Sequence, residues 1–169
     1  SKCSREDYLA TTAANAVAEV RELALSFPAS FAFRYLVLDA AKRVLASGTA
    51  STSRELARKL VPHLDLQQHV FWAPIPAETD DTAVIMLDID GATDMDLLRA
   101  HRPSLLIRTS VPAAADPPVP HYNAWFFCRR DEEVLLRATL YAIPGADAGS
   151  NKPGQVGRYW GSTNPKTSQ

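Results

Sequence analysis

Cysteine is scarce in this 169-residue chain, which holds only Cys3 and Cys128. Cys3 lies in a polar start and Cys128 in an apolar run. That excludes a disulfide scaffold and a cysteine-rich zinc site, and a reducing, cytoplasmic compartment is expected. An excess of charge of one sign is also lacking. Eighteen Lys and Arg face nineteen Asp and Glu, for a net charge of −1. No global basic field therefore draws the chain onto nucleic acid, and any such binding needs a local basic surface. No apolar run reaches membrane-spanning length and the start does not read as a secretory signal, so no membrane partner is expected. No internal repeat or strong linker divides the sequence. The chain begins and ends in polar, loop-like residues without an initiator Met, and the expectation is a domain excised from something longer.

What is present suits one globular domain, with 46% hydrophobic and 22% charged residues. Ser4-Arg5-Glu6-Asp7 reads as a helix start, followed by Leu9, Ala13, Val17, Val20, Leu23 and Phe27 at helical spacing as far as Pro28. Arg34–Asp39 and Val44–Thr49 read as two strands around the turn at 40–43. Thr52-Ser53-Arg54-Glu55 is a capping box for a helix carrying Leu56, Leu60 and Val61. His69–Ala73 is a strand ended by Pro74 and Pro76. Residues 93–96 cap a short helix with Leu97 and Leu98, and Ser104–Ser110 is a further strand. Residues 111–120 hold four prolines and read as a loop. His121–Cys128 is an aromatic strand, with His121, Asn123 and Trp125 on one face and Phe126 and Cys128 on the other. Asp131 caps a helix with Val134, Leu135, Ala138 and Tyr141, stopped by Pro144-Gly145. Strands interleaved with helices, some paired as hairpins, predict an α+β or mixed α/β domain.

The centre of the sequence is Ala83-Val84-Ile85-Met86-Leu87-Asp88-Ile89-Asp90-Gly91. A short apolar run bounded by loop residues predicts a strand buried on both faces. Residues two apart on a strand share a face, so Asp88 and Asp90 should project side by side at its end. Two such carboxylates repel unless a cation lies between them. Hard oxygen ligands suit Mg²⁺ or Mn²⁺. Spacing alone leaves a strand end with solvated acids equally open.

Three readings compete for this acidic strand. Asp88-Ile89-Asp90-Gly91 resembles the nucleophile strand of haloacid-dehalogenase-type phosphatases, and 106–110 mimics their second motif. Against that, Ala92 stands where Thr or Val is usual, and the acidic strand comes halfway along the chain. A nucleotide-sugar transferase would need a leading βα nucleotide-binding unit, which is not found. The third reading rests on several motifs in order. Residues 147–166, Asp-Ala-Gly-Ser-Asn-Lys-Pro-Gly-Gln-Val-Gly-Arg-Tyr-Trp-Gly-Ser-Thr-Asn-Pro-Lys, carry an acid, a Ser, an Arg and then Gly-x-x-Asn-x-Lys. Thr109-Ser110 precedes the strand His-Tyr-Asn-Ala-Trp-Phe at 121–126, and Val70-Phe71-Trp72-Ala73-Pro74 precedes the acidic strand. Together these resemble the RepB-type plasmid primase domain of the archaeo-eukaryotic primase (primase-polymerase) superfamily, over roughly residues 54–167. The acids split by Ile89, the long insert at 111–120, and Trp160 in place of a usual proline depart from that pattern.

The resemblance implies an α+β, RRM-like catalytic core with a largely antiparallel mixed sheet and flanking helices. It would be one domain over 1–169, with a helix and hairpin in 1–50 and the core in 51–169. It implies a DNA primase/polymerase of a plasmid or mobile element, a nucleotidyltransferase using single-stranded DNA template, nucleoside triphosphates and two Mg²⁺ or Mn²⁺ ions. Asp88, Asp90 and Asp147 would hold the metals. Ser110, His121, Asn123, Arg158 and Lys166 would contact the nucleotide, with Arg158 and Lys166 as phosphate partners. Arg99, His101, Arg102, Arg108, Arg129 and Arg130 supply charge for a template, and Trp125, Tyr159 and Trp160 are candidate stacking residues. A helical accessory domain or helicase outside this chain is expected. A non-catalytic relative that only binds single-stranded DNA stays open beside the enzyme.

Overall fold

The structure is a computed structural model that describes residues 31–64, 66–110, 119–159 and 162. The helix expected at 4–27, most of the proline-rich loop, Trp160 and Lys166 lie outside the described residues. Among the described residues, seven strands form two sheets in which every pairing is antiparallel. The first contains β1 (Phe31–Asp39), β2 (Val44–Ala50), β3 (Gln68–Pro76) and β7 (Gly157–Arg158), in the order β2-β1-β3-β7. The second contains β4 (Thr82–Ile89), β5 (Leu105–Ser110) and β6 (His121–Arg129), in the order β4-β6-β5. Three α-helices accompany them among the described residues, α1 (Ser53–Leu60), α2 (Met95–Ala100) and α3 (Glu133–Tyr141). The class is α+β, with the predicted hairpin extended into a larger sheet by β3.

β3 runs through both prolines rather than stopping before them. Pro74 and Pro76 sit opposite Phe33 and Phe31 of β1. Residues two apart share one hydrogen-bonding phase, so both proline nitrogens face the same edge. On the far edge β7 pairs only with Phe71 and Trp72, and no donor is demanded beyond them.

Among the described residues, helix starts follow the predicted caps in two of three cases. Thr52 Oγ1 accepts from the Glu55 N–H at 3.1 Å, while the Glu55 carboxylate reaches back to the Ser51 N–H at 2.9 Å. Asp94 Oδ1 accepts from the N–H groups of Asp96 and Leu97. The third differs. Asp131 pairs with Arg129 at 3.0 Å and lies inside a single 3₁₀ turn, Arg130–Glu132, that precedes α3. The buried face of α3 differs as well. Leu140 is fully buried, with Leu136 and Tyr141 packed beside it, whereas Val134 and Leu135 are exposed.

Two apolar clusters fix the layers. Phe33, Val37, Val70 and Trp72 of the first sheet pack with Leu56 and Leu60 of α1 and with Met86 and Trp125 of the second sheet. Ile85, Leu87, Ile89, Ala124, Phe126 and Cys128 form the other cluster with Leu98 of α2 and Leu140 of α3. The alternation read for β6 is therefore present: Phe126 and Cys128 face the helices, Trp125 faces the first sheet. Burying one such large side chain stabilises the fold by roughly 2–3 kcal/mol.

Candidate metal and nucleotide site

Asp88 is the penultimate residue of β4 and Asp90 lies one residue beyond its end. Across the strand pair Asp88 faces Asn123 of β6. The amide orientation that satisfies both neighbours has Asn123 Nδ2 donating to Asp88 Oδ1 at 3.0 Å and Asn123 Oδ1 accepting from the Arg158 N–H at 2.8 Å. One asparagine thus ties the acidic strand to β7 of the other sheet.

Asp147 arrives from the far end of α3. After Pro144 the backbone runs antiparallel beside the end of β4, bridging Ile89 with Ala146. The Asp90 N–H donates to the Gly145 carbonyl at 3.0 Å, and the Asp147 N–H donates to the Asp88 carbonyl at 2.8 Å. This approach requires glycine at 145. Its φ is +86°, and a Cβ there would lie 2.7 Å from the Ala92 oxygen and 2.9 Å from the Gly91 oxygen. The Tyr141 hydroxyl donates to the Met86 carbonyl at 2.7 Å and lies 2.9 Å from Ser150 Oγ, whose own distance to the Asp147 carbonyl is 2.8 Å. These contacts brace the third acid against the acidic strand.

One carboxylate oxygen from each of Asp88, Asp90 and Asp147 lies within 4.8 Å of the others. Burial, then the charges of Asp90 and Asp147, push the Asp88 carboxyl up to about 7, and Arg158 opposes the shift. This set of oxygen donors, two half-buried and Asp90 exposed, carries surplus negative charge and fits a hard divalent cation, Mg²⁺ or Mn²⁺. Asp147 also accepts from the Gly149 N–H at 2.9 Å through Oδ1.

Asp88 and Asp90 open onto a cleft of about 630 Å³ between the two sheets. Its second-sheet side holds Met86, Asn123, Thr109, Ser110 and His121. Ser110 pairs with His121 and Arg108 with Tyr122, leaving Thr109 as an extra, bulged residue. His121 Nδ1 is 3.8 Å from Asp90 Oδ1, an ion pair when the imidazole is protonated. The first-sheet side is a row across three strands, Leu36 opposite Phe71 and Phe71 opposite Arg158. The Arg158 guanidinium lies over the Phe71 ring at 5.1 Å, and its Nη2 is 3.3 Å from His69 Nδ1. Burial lowers the Arg158 pKa, and the charge of Asp88 works against that. Gly157 permits the close seat of this strand. A Cβ there would lie 2.6 Å from the Asn123 amide and 2.8 Å from Trp125 Cζ2.

The structure therefore brings Asp88, Asp90, Ser110, His121, Asn123 and Arg158 to one cleft, with Asp147 against the acids. Lys166 lies outside the described residues. Sequence reasoning gave no site role to His69, Phe71, Thr109 or Gln155, although Phe71 and Thr109 lie in the motifs quoted above. The signal for the first two was an imidazole and an aromatic ring two apart on a strand. One expectation, that of base stacking, is corrected. Trp125 and Tyr159 are 1% exposed and form core contacts around Trp72, so neither is free to stack on a base. Arg129 pairs with Asp81 and Asp131, and Arg130 donates to the carbonyls of Ala77 and Asp80. Both fix the turn before β4, because that turn leaves carbonyls and acids that need donors.

No protein-family model matches the chain, and no curated protein sequence matches it. A structural match covers 92% of it: the crystal structure of the catalytic domain of primase RepB′ in complex with initiator DNA, at a TM-score of 0.65 and 21% identity over 79% of that chain. This chain has the RepB-type primase fold. The likeness is one of fold, in which both sheets of this chain are antiparallel. No parallel βα unit of the sort a nucleotide-sugar transferase needs occurs among the described residues. No helix among them is long and apolar enough to cross a membrane.

Proposed function

We propose that this chain is the catalytic domain of a metal-dependent DNA primase/polymerase, a nucleotidyltransferase of plasmid or mobile-element replication acting on a single-stranded DNA template. The observation that carries the reading is the meeting of Asp88, Asp90 and Asp147 within 4.8 Å beside a cleft holding Arg158, in a primase fold. Bound Mg²⁺ or Mn²⁺ would activate the attacking 3′-oxygen and steady the leaving pyrophosphate. In this reading Asp88, Asp90 and Asp147 hold the metal, and Asn123 holds the Asp88 carboxylate in place. Arg158 offers its planar fork to phosphate oxygens from the opposite side of the cleft. Ser110 and His121 donate to the same phosphates, and Lys166 is assigned to them by the motif it shares with RepB-type primases. The whole of residues 1–169 serves as one catalytic domain, and a helical accessory domain or helicase would complete the replication machinery.

The test is incorporation of labelled nucleotides on a single-stranded template with Mg²⁺ or Mn²⁺. Incorporation is expected and is abolished by Asp88→Ala or excess chelator. Full activity in either condition overturns the metal mechanism. DNA retention without metal and without incorporation would favour a non-catalytic DNA-binding domain instead. Release of phosphate from a simple ester with an aspartyl-phosphate trapped at Asp88 would point to a phosphatase.

A further inference from the structure

His69 is 4% exposed, an uncommon state for an imidazole, and nothing in the metal chemistry requires it. It stands two residues from Phe71 on β3, so the two side chains share a face. Their rings are parallel within 1°, with centroids 6.0 Å apart. Arg158 lies over Phe71 at 5.1 Å and reaches His69 Nδ1 with Nη2 at 3.3 Å. Its Nη1 is buried without a hydrogen-bond partner among the described residues. One branch of the guanidinium is therefore anchored and the other is an unspent donor in a side chain that lines the cleft. A buried N–H left unpaired costs roughly 1–3 kcal/mol, which an acceptor in the cleft would relieve.

We propose that His69 is a positioning residue that locks the Arg158 fork toward a triphosphate. The proposal rests on the primase reading above. Arginine always donates, so His69 Nδ1 must be the acceptor and the imidazole must be neutral with its proton on Nε2. Phe71 fixes the plane of the guanidinium from below by a cation–π contact. The three side chains form one unit: the imidazole sets the rotation, the phenyl ring sets the height, and the remaining N–H groups face the phosphate oxygens. An unanchored arginine would bind the same anion after losing more side-chain freedom, and so more weakly.

The experiment compares wild type with His69→Phe and His69→Gln on the full chain. Phenylalanine keeps the ring and removes the acceptor; glutamine restores an acceptor without the ring. Probes are inorganic tripolyphosphate and a nucleoside triphosphate with Ca²⁺, and Mn²⁺ alone for the acid site. His69→Phe is expected to weaken both phosphate probes about tenfold, the effect of one charge-assisted hydrogen bond, and to raise KM more than it lowers kcat. Mn²⁺ affinity should stay within twofold of wild type, and His69→Gln should recover at least half of the loss. Unchanged phosphate binding in His69→Phe, or an equal loss of Mn²⁺, overturns the positioning role. ¹⁵N spectra of histidine-labelled wild type supply a test independent of variant folding, since a protonated Nδ1 at His69 would also overturn it. If wild type itself binds no triphosphate, the primase reading fails. If only the variant comparison fails, His69 alone loses its role.

Discussion

Replacing the most buried acid of the site should make the metal-free protein more stable and inactive at once. Asp88 holds its proton up to about pH 7, against 3.8 for an unperturbed carboxyl. Between those values the folded chain binds more protons than the unfolded chain, so stability falls as pH rises through that window and levels off above pH 7. At about 1.4 kcal/mol per pH interval, full ionisation costs the fold about 4 kcal/mol as an upper bound. Asp88 keeps partial access to water, and relaxation reduces the figure to about 1–3 kcal/mol. Asp88→Asn removes the charge and keeps an oxygen for the Asn123 amide. At pH 8 with chelator its Tm should rise by about 2–4 °C for each kcal/mol gained. By pH 5 only about two fifths of the advantage should remain, since the folded Asp88 is protonated there while the unfolded one is not. Millimolar Mn²⁺ should reverse the order, because only wild type gains binding energy from the metal. Thermal unfolding in a matrix of two pH values, with and without Mn²⁺, reads all four outcomes. A variant no more stable than wild type at pH 8 in chelator, or a gap that is equal at pH 5 and pH 8, refutes the argument that burial of the Asp88 charge, reinforced by Asp90 and Asp147, dominates this site.

Mn²⁺ binding at pH 6 should release about one proton from Asp88 and release little at pH 8.5, which calorimetry in two buffers of different ionisation enthalpy will measure. Tyr141→Phe removes the hydroxyl between Met86 and Ser150 and should cost about 1–2 kcal/mol in stability, while Mn²⁺ affinity falls several-fold as Asp147 loosens; a melt and a metal titration check both. Gly157→Ala forces a methyl against the Asn123 amide and Trp125, so about 1–3 kcal/mol of stability and most nucleotide incorporation should be lost. Wild-type activity in that variant would show that the seat of β7 is looser than the close approach at Gly157 implies.

The acidic strand was legible because its signals are local. Five apolar residues, an acid, one residue and a second acid define both a buried strand and a shared direction for two carboxylates. The caps at Thr52 and Asp94 were legible for the same reason, since the accepting side chain and the donating N–H lie within three residues of each other. The start of α3 was not, because Asp131 has a nearer cation in Arg129 and spends its carboxylate there. Nor were the two prolines of β3, whose tolerance depends on how far a short partner strand from the chain's other end extends along the edge. The aromatic residues illustrate the same divide. Trp125 was correctly placed on the face with Asn123, but whether that face meets solvent or another sheet is a question of assembly, and Trp72 answers it.

The functional constellation divides along this line too. Asp88 and Asp90 come from one strand end, but Asp147 is 57 positions beyond Asp90 and reaches them only because residues 145–147 add backbone beside β4. The two hydrogen bonds that tie this backbone directly to the end of the acidic strand are main-chain bonds, so no side-chain pattern announces them. What does announce them is Gly145, required by its positive φ and by the carbonyls of Gly91 and Ala92 that leave no room for a methyl group. Gly157 plays the corresponding part on the opposite wall, where the missing side chain lets β7 sit against Asn123 and Trp125. Asn123 then touches both halves of the site, donating to Asp88 and accepting from the Arg158 backbone. The spacing between acids and arginine is therefore set by one amide and two absent side chains, and a change at any of the three should move phosphate binding and metal binding together.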